Sequence, residues 1–168
     1  MRLLAFASLL SSLVAGCGPS LYGSRVPVAP LDAKLRASGG DPAQILHPVS
    51  LGDLAALEPG RRYKFAVLQS GSLAIAPLPA DRANNEYTHP VLAAGGRVRT
   101  AGGLRVEREG AELVRVIIDQ DSRAYCPSLR SLDAARDALV ALGVRRPLVQ
   151  REDRPPRCIA QRADRSMR

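Results

Sequence analysis

The sequence predicts an α+β fold: a small, mostly antiparallel sheet with one main C-terminal helix, at about residues 131–142, and a short N-terminal helix. Three features carry that prediction. Segments of alternating apolar residues are joined in pairs by tight turns. One amphipathic stripe near the C-terminus has both a start and a stop signal. Ahead of the first hairpin, three leucines at helical spacing follow a capping residue.

The short helix begins at Ser50-Leu51-Gly52-Asp53, a capping box with Asp in place of the usual Glu. Leu51, Leu54 and Leu57 fall on one face before Pro59-Gly60 ends it. A strand is expected over Arg62–Gln69, where Tyr63, Phe65 and Val67 alternate with Arg62, Lys64 and Ala66. Ser70-Gly71 turns the chain, and Ser72–Ala76 returns as its partner. Pro77 and Pro79 interrupt pairing, Asn84-Asn85 reads as loop, and Glu86-Tyr87-Thr88 reads as a brief strand. Arg97–Thr100 is a short strand, broken by a bulge or bend at Ala101-Gly102-Gly103. Leu104–Arg108 and Glu112–Asp119 flank the tight turn Glu109-Gly110-Ala111. Val114, Val116, Ile117 and Ile118 make the second of these the expected central strand. The main helix has Ser131 as N-cap and Asp133 in its first turn, where the helix dipole favours negative charge. Leu132, Ala135, Leu139 and Leu142 form its apolar stripe, and Gly143 stops it. A last short strand is expected over Pro147–Arg151.

The N-terminus carries a different kind of signal. Met1-Arg2 supplies a positive charge, Leu3 to Val14 is mostly apolar, and small residues Ala15-Gly16 lead to Cys17. The apolar run is short of the roughly 20 residues a membrane-spanning helix needs, and it fits the apolar region of a secretory signal. Leu13-Val14-Ala15-Gly16-Cys17 resembles the lipobox of bacterial lipoproteins. The resemblance implies a diacylglycerol on the Cys17 thiol, cleavage after Gly16, and acylation of the new amino group. Two or three acyl chains on one residue anchor stably where a single chain binds only reversibly. It also implies a cell-envelope address. Gly18 stands where an Asp often signals inner-membrane retention, so an outer-membrane lipoprotein facing the periplasm or the cell surface is expected. The expected organisation is then a signal peptide over 1–16 and a lipidated Cys with a flexible tether over 17–48. An α+β domain follows over 49–151, and a basic tail over 152–168. Pro19, Pro27, Pro30, Pro42 and Pro48 punctuate the tether, with a short helix around Leu31–Ala37.

Formal charge is +8, from 24 basic and 16 acidic residues, and only Lys34 and Lys64 among the basic ones are lysine. An arginine bias with abundant Ala, Gly and Pro is typical of GC-rich coding, so the basicity is in part compositional. Nucleic acid is not an expected partner: aromatics are 4% of the chain, and no RNA or DNA motif is present. The expected partners are the membrane, through lipid on Cys17, and another envelope protein or an anionic surface polymer. Apart from Cys17, the cysteines are Cys126 and Cys158. In an oxidising compartment that pair is expected to form a disulfide. It would close a loop of about 30 residues and stabilise by about 3 kcal/mol. With no CxxC, and only His47 and His89 as histidines, no metal site and no other cofactor is expected.

The stretch from His89-Pro90-Val91-Leu92 through Gly95-Gly96-Arg97-Val98, Ala101-Gly102 and Glu109-Gly110 to Asp119-Gln120-Asp121-Ser122-Arg123-Ala124-Tyr125-Cys126-Pro127 resembles a β-meander of bacterial toxin and effector C-termini. The likeness covers His89 to Gly143. It carries no established activity, and the second histidine of the pattern falls on Ala124. Fuller similarity, including Asn85-Glu86-Tyr87 and Ala76-Pro77-Leu78-Pro79, lies with lipoproteins of GC-rich predatory soil bacteria.

The weak catalytic candidates are His89 with Glu86 or Asp121 as a carboxylate partner, since a carboxylate orients an imidazole and raises its basicity. The plainer reading makes His89 a turn residue before Pro90 that satisfies backbone groups. Asp119 and Asp121, spaced to point one way at a strand end, read as solvated loop charge more readily than as a cation or proton site. No Gly-x-Ser-x-Gly is present, and the glycine pairs match no phosphate-cradling motif. The first functional expectation is therefore a membrane-anchored envelope lipoprotein with a non-catalytic binding or structural domain. An active or degenerate enzyme using His89 is the alternative, and a toxin-neutralising lipoprotein a third.

Overall fold

The computed structural model describes residues 20–37, 42–78, 88–156 and 158. Five strands form one mixed sheet: β1 (Tyr63–Leu68), β2 (Leu73–Pro77), β3 (Val98–Glu109), β4 (Glu112–Asp119) and β5 (Val149–Glu152). The helices are α1 (Ala29–Ala37), α2 (Leu51–Ala55), α3 (His89–Leu92) and α4 (Leu132–Ala141). Strand order is β2-β1-β3-β4-β5. The first three pairings are antiparallel, and β5 joins β4 in parallel. A parallel neighbour needs a crossover rather than a hairpin, and α4 lies within that crossover. The fold is α+β with one main C-terminal helix, as the sequence predicts.

Local chemistry sets the element ends. Ser50 caps α2, and Asp53 Oδ2 accepts from the backbone N–H groups of Val49 at 2.8 Å and Ser50 at 3.0 Å. Those bonds hold the Asp53 carboxyl below its ordinary range, Val49 contributing most. Helix α4 ends at Gly143, with φ 101°. There Val144 N–H bonds the Leu139 carbonyl and Gly143 N–H bonds that of Val140, closing the last turn. Its start differs from expectation. Ser131 does not cap through its side chain; Oγ donates to the Ser128 carbonyl at 2.6 Å and pairs with Thr100 Oγ1 at 2.8 Å, tying the helix start to β3.

The sheet is buried on both faces by different means. On one face Phe65, Ile75, Leu104, Val116 and Ile118 pack against Leu54 of α2 and Leu132, Ala135 and Leu139 of α4. Full burial of such a side chain stabilises by about 1.5–3 kcal/mol. The other face is paved with Ala66, Ala74, Ala76 and Ala101, and Leu35, Val91, Leu92 and Tyr125 cover it. Small strand residues let α3 lie close to β1 and β2. Tyr125 reaches across to donate its hydroxyl to the Gly96 carbonyl at 2.8 Å, and burial pushes its pKa up to about 12.

Four expectations change. The Ala101-Gly102-Gly103 step is not a break, because β3 runs unbroken for 12 residues. The irregularities lie instead where Val67/Leu68 meets β3 and where Glu107/Arg108 meets β4. The central position belongs to β3, the third of five strands, not to the more apolar β4. Thr88 is not strand but the N-cap of α3, while Glu86 and Tyr87 lie outside the described residues. The expected tether over 17–48 is held against the sheet at several described points, while Ser20, Gly23, Pro27 and His47 are exposed. Tyr22 bridges Val98, Leu46 bridges Ile75, and Leu35 is fully buried. Apolar groups at Tyr22, Val26, Leu35, Ile45 and Leu46 supply enough contact to hold a segment that proline content alone had marked as loose.

Gly102 is unbroken strand because nothing larger fits. A Cβ there would overlap the Asp119 carbonyl. Gly102→Ala is expected to destabilise the domain by about 3 kcal/mol in urea unfolding. Gly23→Ala, with nothing within 4 Å, should be near neutral. Equal midpoints for the two variants would contradict this packing.

Candidate functional site

A polar cluster interrupts the alanine-paved face at the C-terminal end of β4, away from the β3–β4 hairpin. Period-two alternation puts Lys64 of β1, opposite Gly103, on the same face as Ala66, and Asp119 of β4 falls there as well. The turn of α3 carries His89 over this point, with Pro90 in its first turn, where a missing N–H costs nothing.

Asp119 is the hub. Its side chain is 6% exposed, and each oxygen is committed. Oδ1 accepts from Gly103 N–H at 2.7 Å and from Asp121 N–H at 2.9 Å. Oδ2 accepts from Arg62 Nη2 at 2.8 Å, with Arg154 Nε at 3.7 Å. Arg62 also reaches Asp121 Oδ2 at 3.4 Å. The adjacent Gln120 is buried, and both ends of its amide bind the chain after β5. Nε2 donates to Asp153 Oδ1 at 2.8 Å, and Oε1 accepts from Arg154 N–H at 3.3 Å.

His89 is buried, and its neutral ring donates from Nε2 to the Gly102 carbonyl at 3.0 Å. Burial above all lowers its pKa to about 4; the nearby cations Lys64 and Arg62 push the same way, while the Gly102 bond and Asp119 oppose. Lys64 is 7% exposed. Burial lowers its pKa to about 8, with Asp121 pulling it back up. Ser122 Oγ and Thr88 Oγ1 are buried nearby in sequence without hydrogen-bond partners.

This geometry redistributes the sequence candidates. His89 is in the cluster, but Asp121 pairs with Arg62, and the carboxylate whose charge His89 senses is Asp119. Glu86 and Cys17 lie outside the described residues. Asp119 and Asp121 converge as their spacing suggests, yet on a guanidinium, and Asp119 is buried rather than solvated. Ala124, where the toxin-like pattern carries its second histidine, is a buried packing residue beside Tyr125. Cys126 and Cys158 sit at disulfide distance, with Cα atoms 5.4 Å apart. Sequence reasoning missed Arg62, Lys64 and Gln120. The available signal was the alanine content of β1 and β2: strands apolar on both faces are buried on both, so a lysine among them is buried too.

No family model matches the chain, and no curated protein or solved structure is detectably similar to it. Among the described residues no three His, Cys, Asp or Glu side chains are grouped to hold a metal. None of the described helices is long and apolar enough to cross a membrane.

Chemically, the cluster holds charges in place. The His89 donor and all the near lone pairs of Asp119 are spent on backbone and on Arg62. The neutral state of His89 has a consequence for stability. A histidine depressed from 6.5 in the unfolded chain to about 4 in the fold contributes nothing unfavourable above pH 6.5. As pH falls through that window the unfolded chain takes up a proton that the fold refuses. Stability is therefore expected to fall by about 1.4 kcal/mol for each pH unit between those values, about 3 kcal/mol in all. His89→Gln, which retains an amide donor for the Gly102 carbonyl, should flatten that part of the profile. Comparing urea midpoints of the two proteins at pH 7 and pH 4.5 checks it; parallel profiles would refute it.

Proposed function

We propose that this chain is a membrane-anchored lipoprotein of the bacterial envelope, carried by lipid on Cys17, whose α+β domain works by binding rather than by catalysis. The observation that carries the reading is the pairing of the lipobox-like Leu13–Cys17 with cysteines elsewhere that sit at disulfide distance. A lipidated cysteine and a disulfide both belong to an exported chain. The commitment of His89 and Asp119 to backbone and to Arg62 supports a non-catalytic domain. The partner class is another envelope protein or an anionic surface polymer, which the charge of +8 favours.

The enzyme reading keeps one observation in its favour. Lys64, with a pKa of about 8, lies near a neutral His89, and perturbed pairs of that kind occur at catalytic centres. In the binding reading, His89→Ala costs about 2 kcal/mol of stability, because it leaves the Gly102 carbonyl without a donor. Under that reading it alters partner binding only through stability.

The decisive variant is Cys17→Ser. In a bacterial host, the parent chain should partition with the membrane fraction and show a lipid mass increment on an N-terminal cysteine. The variant should be soluble or remain unprocessed. Identical fractionation and mass for the two chains would remove the proposal.

A further inference from the structure

We propose that the Cys126–Cys158 bond is a reducible latch. Closed, it holds the chain after β5 as a strap across the Asp119–Gln120 end of the sheet; opened by a dithiol reductant, it lets the strap go. The inference goes beyond the envelope reading and does not depend on lipid at Cys17.

Three sets of observations carry it. The first is access. Cys158 is exposed and Cys126 half-buried, so a solvent thiolate can approach the Cys158 sulfur. The second is the backbone at Cys126. Its φ is 52°, in the left-handed region that residues other than glycine rarely adopt. Its N–H closes a turn onto the Ser122 carbonyl at 2.7 Å, directly ahead of Pro127. Exposed bonds held in strained surroundings are the labile class of protein disulfides. The third is how the strap is held. Pro155 and Pro156 have no backbone N–H and favour an extended path. Among the described residues, apart from the disulfide, the strap is tied by the two ends of the Gln120 amide and by Arg154, which reaches Asp119 at 3.7 Å and Glu152 at 3.3 Å. Among the described residues, neither apolar core cluster includes one beyond Val149. The strap can therefore leave without opening the core, and its departure uncovers the Gln120 amide and one side of Asp119.

The chemistry balances. One thiolate of the dithiol attacks the Cys158 sulfur, forms a mixed disulfide, and expels Cys126 as a thiolate that takes up a proton. The second reductant thiol then attacks its own partner sulfur and expels Cys158. The latch gains two electrons and two protons, and the reductant ends as a disulfide.

The test uses the full chain, oxidised, with and without dithiothreitol in native buffer. Alkylation and mass measurement count thiols, far-ultraviolet circular dichroism follows the sheet, and hydrogen exchange follows the Arg154 amide. The expected result is two new thiols without denaturant and an unchanged spectrum. Exchange at Arg154 should accelerate at least tenfold, while β1, β3 and β4 keep their protection. Cys158→Ser should reproduce that exchange without reductant. Gln120→Ala, which removes the acceptor of the Arg154 N–H, should accelerate exchange in the oxidised protein and add little once the bond is reduced. The proposal is overturned if Cys126 and Cys158 are free thiols in the oxidised protein, or if the bond resists reduction until the domain unfolds. It is equally overturned if reduction melts the sheet, or if exchange at Arg154 does not change.

Discussion

The structure hangs on the bond between the Asp119 carboxylate and the Gly103 N–H. A carboxylate 6% exposed must be met by donors on every side, or its burial costs several kcal/mol. Here the donors come from three separate stretches of chain. Gly103 lies in β3, Arg62 lies just before β1, and Asp121 lies just past β4. The carboxylate reaches the β3 backbone only because residues 102 and 103 are both glycine. A Cβ on Gly103 would lie 2.7 Å from Asp119 Oδ2 and 2.9 Å from Arg62 Nη2. The Gly102 carbonyl accepts a hydrogen bond from His89 Nε2–H and so fixes α3 over the sheet. One pair of glycines therefore seats the carboxylate that gathers β1, β3 and β4, and the imidazole that positions a covering helix.

That arrangement explains why parts of the fold were legible in the sequence and parts were not. The hairpins and α4 announce themselves because their signals are local: alternation, turn glycines, and a stripe ending at Gly143. In the sequence, the glycine pair of β3 suggests a break because, within a single strand, a flexible residue and one demanded by a distant carboxylate look alike. Lys64 reads locally as the outward member of an alternating strand. Only the alanines opposite and beside it show that the outward face is covered as well. His89 was legible as a structural residue and its carboxylate partner was not, because Asp119 meets it only through strand pairing from 30 residues downstream.

The unequal faces follow from the same economy of contact. Leucine, isoleucine and phenylalanine on one face pack against Leu132, Ala135 and Leu139 of α4. Alanine on the other face is covered by Leu35, Val91, Leu92 and Tyr125, and the polar groups entering from that side are buried with it. A buried imidazole in such a place loses its proton, and a buried ammonium is driven toward neutrality. The perturbed pKa values at His89 and Lys64 are thus products of burial on the alanine-paved face before they are evidence of any reaction.

The packing of residues 20–37 and 42–48 also bears on how an anchored form would sit. A flexible spacer would let the domain range far from the bilayer. Tyr22, however, is fixed to Val98 by two backbone bonds of 2.7 and 3.0 Å. Only five residue steps separate Tyr22 from Cys17, and a fully extended chain covers about 3.5 Å per step. With lipid on Cys17, the edge of the domain at Tyr22 would lie within about 18 Å of the membrane surface. At full extension that is about two screening lengths of about 8 Å at physiological salt, so its arginines would feel anionic headgroups only where the linking residues are less than fully extended. Tyr22 stands near Arg97, whose guanidinium donates to the Leu21 carbonyl at 3.1 Å. The basic character of the chain would then act at short range on the surface that carries it, and the domain would rest against the membrane rather than float above it.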